Sequence, residues 1–133
     1  MALRTALIAD DSRVFRVVTA EALRERGLQV FEAADGRQAL ELLLAHRPEL
    51  AIIDALMPLL SGFELLAKLR ETAPDYRPVT FIVTAVFKSR RWESEARQQY
   101  QVDEYLEKPI EPEAMIDAIG RHFPEFLDVK REL

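Results

Sequence analysis

The sequence predicts an α/β domain: a doubly wound, five-stranded parallel sheet covered by five helices. Three observations lead there. Short apolar runs rich in Val, Ile, Phe and Leu recur along the chain. Stretches with helical spacing separate them. The carboxyl ends of the runs carry acids, a hydroxyl and an amine. Strand and helix in strict alternation imply right-handed crossovers and a sheet buried on both faces.

The strands are expected at Ala6–Ala9, Leu28–Ala33, Leu50–Ile53, Val79–Val83 and Glu104–Leu106, lengths suited to buried strands rather than helices. The first helix should run from about Arg13 to Arg26, with Val14, Val17, Val18 and Leu23 near one face. Gly27 then sits where a left-handed cap belongs. Ala39, Leu40, Leu43 and Leu44 mark a second helix that stops before Pro48. Phe63, Leu66, Ala67 and Arg70 mark a third. A fourth is expected from about Lys88 to Tyr100. A fifth begins near Glu111–Pro112 and uses Met115, Ile116 and Ile119, with proline suited to its first turn. The domain is expected over residues 1–122, with 123–133 a C-terminal tail or the start of a linker.

Composition narrows the function classes. The 133 residues are 49% apolar, enough for one continuous core, and carry a net charge of −5. That charge gives no general basic footprint for nucleic acid or an anionic membrane. The absence of cysteine excludes disulfides, thiol catalysis and cysteine zinc sites. Met1–Leu7 lacks the apolar stretch of a signal peptide, and no apolar run approaches a bilayer span. A cytoplasmic domain is the expectation.

In such sheets ligands bind beyond the carboxyl ends of the strands. The first run ends in Asp10-Asp11, the third in Asp54 and the fourth in Thr84. The fifth leads to Lys108-Pro109. Any one acid could serve only as a helix N-cap. Together they form a cluster whose repulsion calls for a cation, and all-oxygen ligands favour a hard ion such as Mg²⁺. Lys108 and Thr84 would serve phosphate oxygens. No His or Cys ends a strand, so a carboxylate is the plausible nucleophile.

These residues resemble the receiver domain of two-component response regulators, from about Thr5 to His122. The acidic pair is Asp10-Asp11. The acceptor loop is Asp54-Ala55-Leu56-Met57-Pro58 with Gly62. Thr84-Ala85, Tyr105 and Lys108-Pro109 complete the pattern, and Ala33-Ala34-Asp35-Gly36 with Ala39-Leu40 also fits it. The resemblance implies a flavodoxin-like sheet of order 2-1-3-4-5 and a cis Lys108–Pro109 bond. It implies that Asp54 accepts a phosphoryl group from a sensor histidine kinase or phosphotransfer protein. Asp11, Asp54 and the Leu56 carbonyl would hold Mg²⁺, with Asp10 acting through a metal-bound water. Thr84 would then move toward the phosphoryl group and Tyr105 would turn inward. That change repacks the face of the fourth helix, fifth strand and fifth helix for a downstream protein, an output domain or a second copy of the chain. Neither a membrane nor nucleic acid is an expected partner of this domain.

Two departures stand out. The segment from Thr84 to Lys108 is longer than in many receivers. Gln101 occupies a place usually held by glycine, which is costly if its φ is positive. The resemblance also implies that Leu56 and Val86 flank the path of a hydrolytic water; neither side chain can orient one, so a long-lived phosphoryl group is expected. Lys88, Arg90, Arg91 and Arg97 form either a solvated helix face or a docking surface. Trp92 is read as partly buried, and His46 and His122 as structural or solvent-exposed. The rival readings are a phosphate-independent pseudo-receiver and a phosphatase of the haloacid-dehalogenase kind. The intact acidic set argues against the first. Leu56, where a second Asp would be needed, argues against the second. The chain is therefore not expected to be an enzyme beyond its own phosphorylation and dephosphorylation. No DNA-binding or enzymatic output segment is read after the fifth helix, so signalling is expected to pass through protein contacts or through a domain beyond Leu133.

Overall fold

The computed structural model describes residues 2–85, 94 and 97–127. Five strands form one sheet: β1 Thr5–Ala9, β2 Gln29–Ala33, β3 Leu50–Asp54, β4 Val79–Thr84 and β5 Glu104–Glu107. Their order is β2-β1-β3-β4-β5 and every neighbouring pair is parallel. Four helices have defined bounds: α1 Arg13–Arg24, α2 Gly36–His46, α3 Gly62–Thr72 and α4 Pro112–His122. This is the parallel sheet expected from the alternation, in the flavodoxin-like order that the resemblance implied. The fourth helix expected from sequence falls mostly outside the described residues, as do Val86, Lys88, Arg90, Arg91 and Trp92; residues 97–100 are helical.

α1, α2 and α3 each start at a residue whose side chain satisfies a free N–H group, whereas α4 opens on Pro112, which has no N–H to satisfy. Ser12 accepts from Phe15 N, so it and not either aspartate caps α1. Asp35 accepts from Gln38 N at 2.8 Å. Ser61 and Glu64 close a reciprocal capping box on α3. α1 ends as expected: Gly27 has φ +90, and Leu28 N donates back to Leu23 O.

Alternation along the strands separates two cores. Leu7, Ala9, Ala51, Ile53 and Ile82 pack with Leu43, Leu65, Leu66 and Leu69 on the α2–α3 side. Ala6, Ile8, Leu50, Ile52, Phe81 and Val83 pack with Leu23, Met115 and Ile119 on the α1–α4 side. The second core continues past α4. Phe123 and Phe126 are buried, Leu127 fills the space above Gly120, and Arg26 lies over the Phe126 ring and donates to its carbonyl. The packing therefore continues to Leu127. Periodicity alone could not reveal this, because the segment packs through a return contact to α1.

His46 stacks on Phe31, and His122 meets Phe81 edge-on beside Glu104, both packing roles. No helix among the described residues is long and apolar enough to cross a membrane.

Candidate functional site

Strand register builds the site. Ala9 lies opposite Ile53, so Asp10 and Asp54 leave the sheet side by side. Asp54 lies opposite Val83 and Thr84 opposite Glu107, which sets Thr84 and Lys108 one step further along the same edge. The ladder extends past the strands through Asp10 N to Ala33 O, Ala55 N to Val83 O and Lys108 N to Thr84 O. Each side chain is thus fixed by main-chain bonds rather than by loop packing.

The carboxylates of Asp10, Asp11 and Asp54 converge, with one oxygen from each within 4.8 Å of the others. Asp10 and Asp54 are buried and Asp11 faces solvent. Lys108 Nζ is 2.7 Å from Asp10 Oδ2 and 3.7 Å from Asp54 Oδ2. Asp10 Oδ1 accepts from Ser12 N at 2.8 Å. Asp54 Oδ1 accepts a long bond from Leu56 N at 3.3 Å. Burial, and then the neighbouring Asp10, push the Asp54 carboxyl up to about 6 against the opposing pull of Lys108 and the Leu56 N–H. Three carboxylates against one ammonium leave two negative charges. A divalent cation balances that deficit, and the all-oxygen donor set suits a hard one.

The loop after Asp54 is held close. Gly62 N donates to Ala55 O at 2.9 Å, and a Cβ on Gly62 would stand 2.5 Å from the Asp54 carbonyl. Gly36 has the same role against the Leu60 carbonyl. Any larger residue at either place would push the acid-bearing loop off the sheet.

Of the residues singled out in the sequence, Asp10, Asp11, Asp54 and Lys108 meet directly, and Thr84 is buried on the same edge. The Lys108–Pro109 bond is cis. Leu56 is 53% exposed. Tyr105 is set apart, 2% exposed within the α2–α3 core. It was expected to turn inward only upon switching; here it is already inward. Two participants were missed. Phe15 places its ring 4.6 Å from Lys108 Nζ. Arg16 donates to the Asp10 carbonyl at 2.8 Å while pairing with Glu32. Their place in the first turn after the Ser12 cap was the available signal.

A doubly wound parallel sheet with a cation-ready acidic rim and one lysine defines the class of this domain. The comparisons give the family. Residues 6–120 match the response regulator receiver domain, and the chain belongs to that family. It is 34% identical over 110 residues to response regulator MprA of Mycolicibacterium vanbaalenii, covering 83% of this chain and 46% of that protein. It is 32% identical to transcriptional regulatory protein PdtaR of Mycobacterium tuberculosis, covering 95% of this chain and 60% of PdtaR. It is 26% identical to sporulation initiation phosphotransferase F of Bacillus subtilis, with 89% and 92% covered. The chain spans about half to three fifths of the first two relatives and nearly all of the third. Among solved structures it resembles a CheY-like receiver protein from Methanospirillum hungatei, with TM-score 0.80 at 26% identity over 96% of this chain and 98% of that one. Chemotaxis protein CheY4 of Vibrio cholerae gives TM-score 0.81 at 28% identity over 90% and 98%.

Proposed function

We propose that this receiver domain is a phosphorylation switch in which Asp54 accepts a phosphoryl group from a sensor histidine kinase or phosphotransfer protein. The observation that carries this reading is the Asp54 carboxylate itself. It is buried between Asp10 and Lys108 and has no strong hydrogen bond of its own beyond the 3.3 Å contact from Leu56 N. An acid held this way is a nucleophile kept available, whereas Asp10 is tied down by Ser12 N and Lys108.

With the carboxyl at about 6, Asp54 is mainly ionised at neutral pH yet more basic than an ordinary aspartate. An Asp54 oxygen attacks phosphorus, the bond from phosphorus to the donor breaks, and the donor leaves with that electron pair. Asp11, Asp54 and the Leu56 carbonyl would hold Mg²⁺, with Asp10 reaching it through water; the ion supplies charge neutralisation for the phosphoryl oxygens. Lys108 exchanges part of its contact with Asp10 for a phosphoryl oxygen. Thr84 contributes its hydroxyl to another. Since Tyr105 is already packed inward, phosphorylation would hold this arrangement rather than create it, a population shift of about 1–3 kcal/mol. The domain has no separate metabolic substrate in this reading. Its output passes to a downstream protein or output domain, with a second copy of the chain as a further candidate. A location in the cytoplasm follows from partners of that kind.

The test is labelling by acetyl phosphate with Mg²⁺, read by intact mass. One phosphoryl adduct is expected, lost with EDTA and in Asp54→Asn. Labelling that survives Asp54→Asn would place the acceptor elsewhere.

A further inference from the structure

Lys108 is bounded by carboxylates on one side and by an aromatic ring on the other. Its Nζ lies 2.7 Å from Asp10 Oδ2, and the Phe15 ring centroid is 4.6 Å away. Asp54 Oδ2, at 3.7 Å, is beyond hydrogen-bond reach. The lysine side chain is only 16% exposed, so the ammonium is mostly shielded from water. Phe15 is the third residue of α1 and packs, half-buried, against the α1–α4 core, which fixes where its ring stands. The Lys108 main chain is pinned separately, its N–H donating to Thr84 O at 2.9 Å. Val14, Val18, Ala85 and Ile110 line a recess of about 390 Å³ beside the pair.

A lysine ammonium is a compact charge on a flexible stem, readily drawn back into water. In the phosphoryl transfer proposed above, it must loosen from Asp10 and turn to a phosphoryl oxygen. The negative face of an aromatic ring attracts a cation without fixing the direction of its N–H bonds. A ring in this place keeps the ammonium at the rim while its partner changes. An aliphatic side chain of similar bulk would exclude water but would not attract the charge.

We propose that Phe15 is a positioning residue: its ring face holds the Lys108 ammonium at the acidic rim while that ammonium passes from Asp10 to the phosphoryl group. The passage to the phosphoryl group rests on Asp54 being the acceptor; the hold on the ammonium does not.

The test uses the full chain with Phe15 replaced by mono-, di- and trifluorinated phenylalanine. These keep the shape of the ring and weaken its negative face step by step. The first readout needs no phosphoryl group: exchange of the Lys108 ammonium hydrogens with water, followed on the ¹⁵Nζ signal. It should quicken stepwise, by about three- to tenfold over the series. The second readout is the labelling rate with acetyl phosphate and Mg²⁺, which should fall over the same series by a similar factor. Phe15→Leu should match the trifluorinated ring, and Phe15→Tyr, which keeps the ring face, should recover most of the lost rate. Ammonium exchange that stays flat over the series would overturn the proposal. So would a loss confined to Phe15→Leu, which would make the ring mere bulk, or a labelling rate that ignores fluorination while exchange responds. No labelling of the unaltered chain would instead contradict Asp54 as acceptor, and the ammonium series would still decide whether the ring holds Lys108.

Discussion

Asp54 sits in an environment that opposes its own charge. Burial and Asp10 raise its carboxyl to about 6, above the usual aspartate value, so in the cation-free protein the ionised form costs stability. The cost is full above about pH 6 and fades as pH falls through that value toward the unfolded aspartate pKa of about 3.9. Asp54→Asn should therefore stabilise the cation-free protein by about 2–3 kcal/mol at neutral pH, and by little at about pH 4.5. Urea denaturation in EDTA at the two pH values checks this; an equal gain at both would remove charge as the cause. Leu56 offers a second residue-scale test. Its exposed, apolar side chain cannot hydrogen-bond and so cannot orient water. Leu56→Asn should speed loss of the phosphoryl group, by up to orders of magnitude where positioning dominates. A decay series in Mg²⁺ without kinase reads it, and slower loss in the variant would show that another group places the water. The acids, Thr84 and Lys108 were legible at this scale because each ends an apolar run. Their pairing was not: Lys108 lies nearer Asp10 than Asp54, a matter of a 1 Å difference in a folded rim. Phe15 and Arg16 escaped notice because their roles exist only once α1 is docked on the sheet.

Among the elements, the strands fell within one residue of their expected ends, since burial on both faces leaves an unambiguous apolar run. Gly27 and its left-handed turn were equally readable. Gln101 is more instructive. It keeps φ at +58 despite its side chain, and its amide oxygen accepts from Arg77. The turn is thus kept with a positive φ, at a local cost. Gln101→Gly should raise stability by about 1 kcal/mol; a loss would show that the Arg77 contact outweighs the strain. The start of α3 carries the opposite constraint. Gly62→Ala places a methyl group 2.5 Å from the Asp54 carbonyl. It should cost about 1–3 kcal/mol and slow labelling together. Thermal denaturation alongside the labelling rate would separate this from a purely structural defect, in which the rate of the folded fraction stays unchanged.

Over the whole molecule, register is what converts separate strand ends into one site. The two cores fix the sheet from both sides, and the parallel order brings β1 beside β3 although β2 intervenes in sequence. The segment at 123–127 contributes to that rigidity. Phe126 is 2% exposed in the α1–α4 core, and Arg26, a hundred residues away in sequence, donates to its carbonyl. Phe126→Ala should cost about 3–5 kcal/mol by chemical denaturation. The central claim concerns the carboxyl edge of the sheet, and one measurement addresses it most directly. The chain and its Asp54→Asn variant are incubated with acetyl phosphate, with and without Mg²⁺, and weighed intact. A single phosphoryl adduct on the unaltered chain in Mg²⁺, absent in the other three samples, is the predicted result. An adduct on Asp54→Asn, or none on the unaltered chain in Mg²⁺, would contradict the assignment of Asp54 as the acceptor.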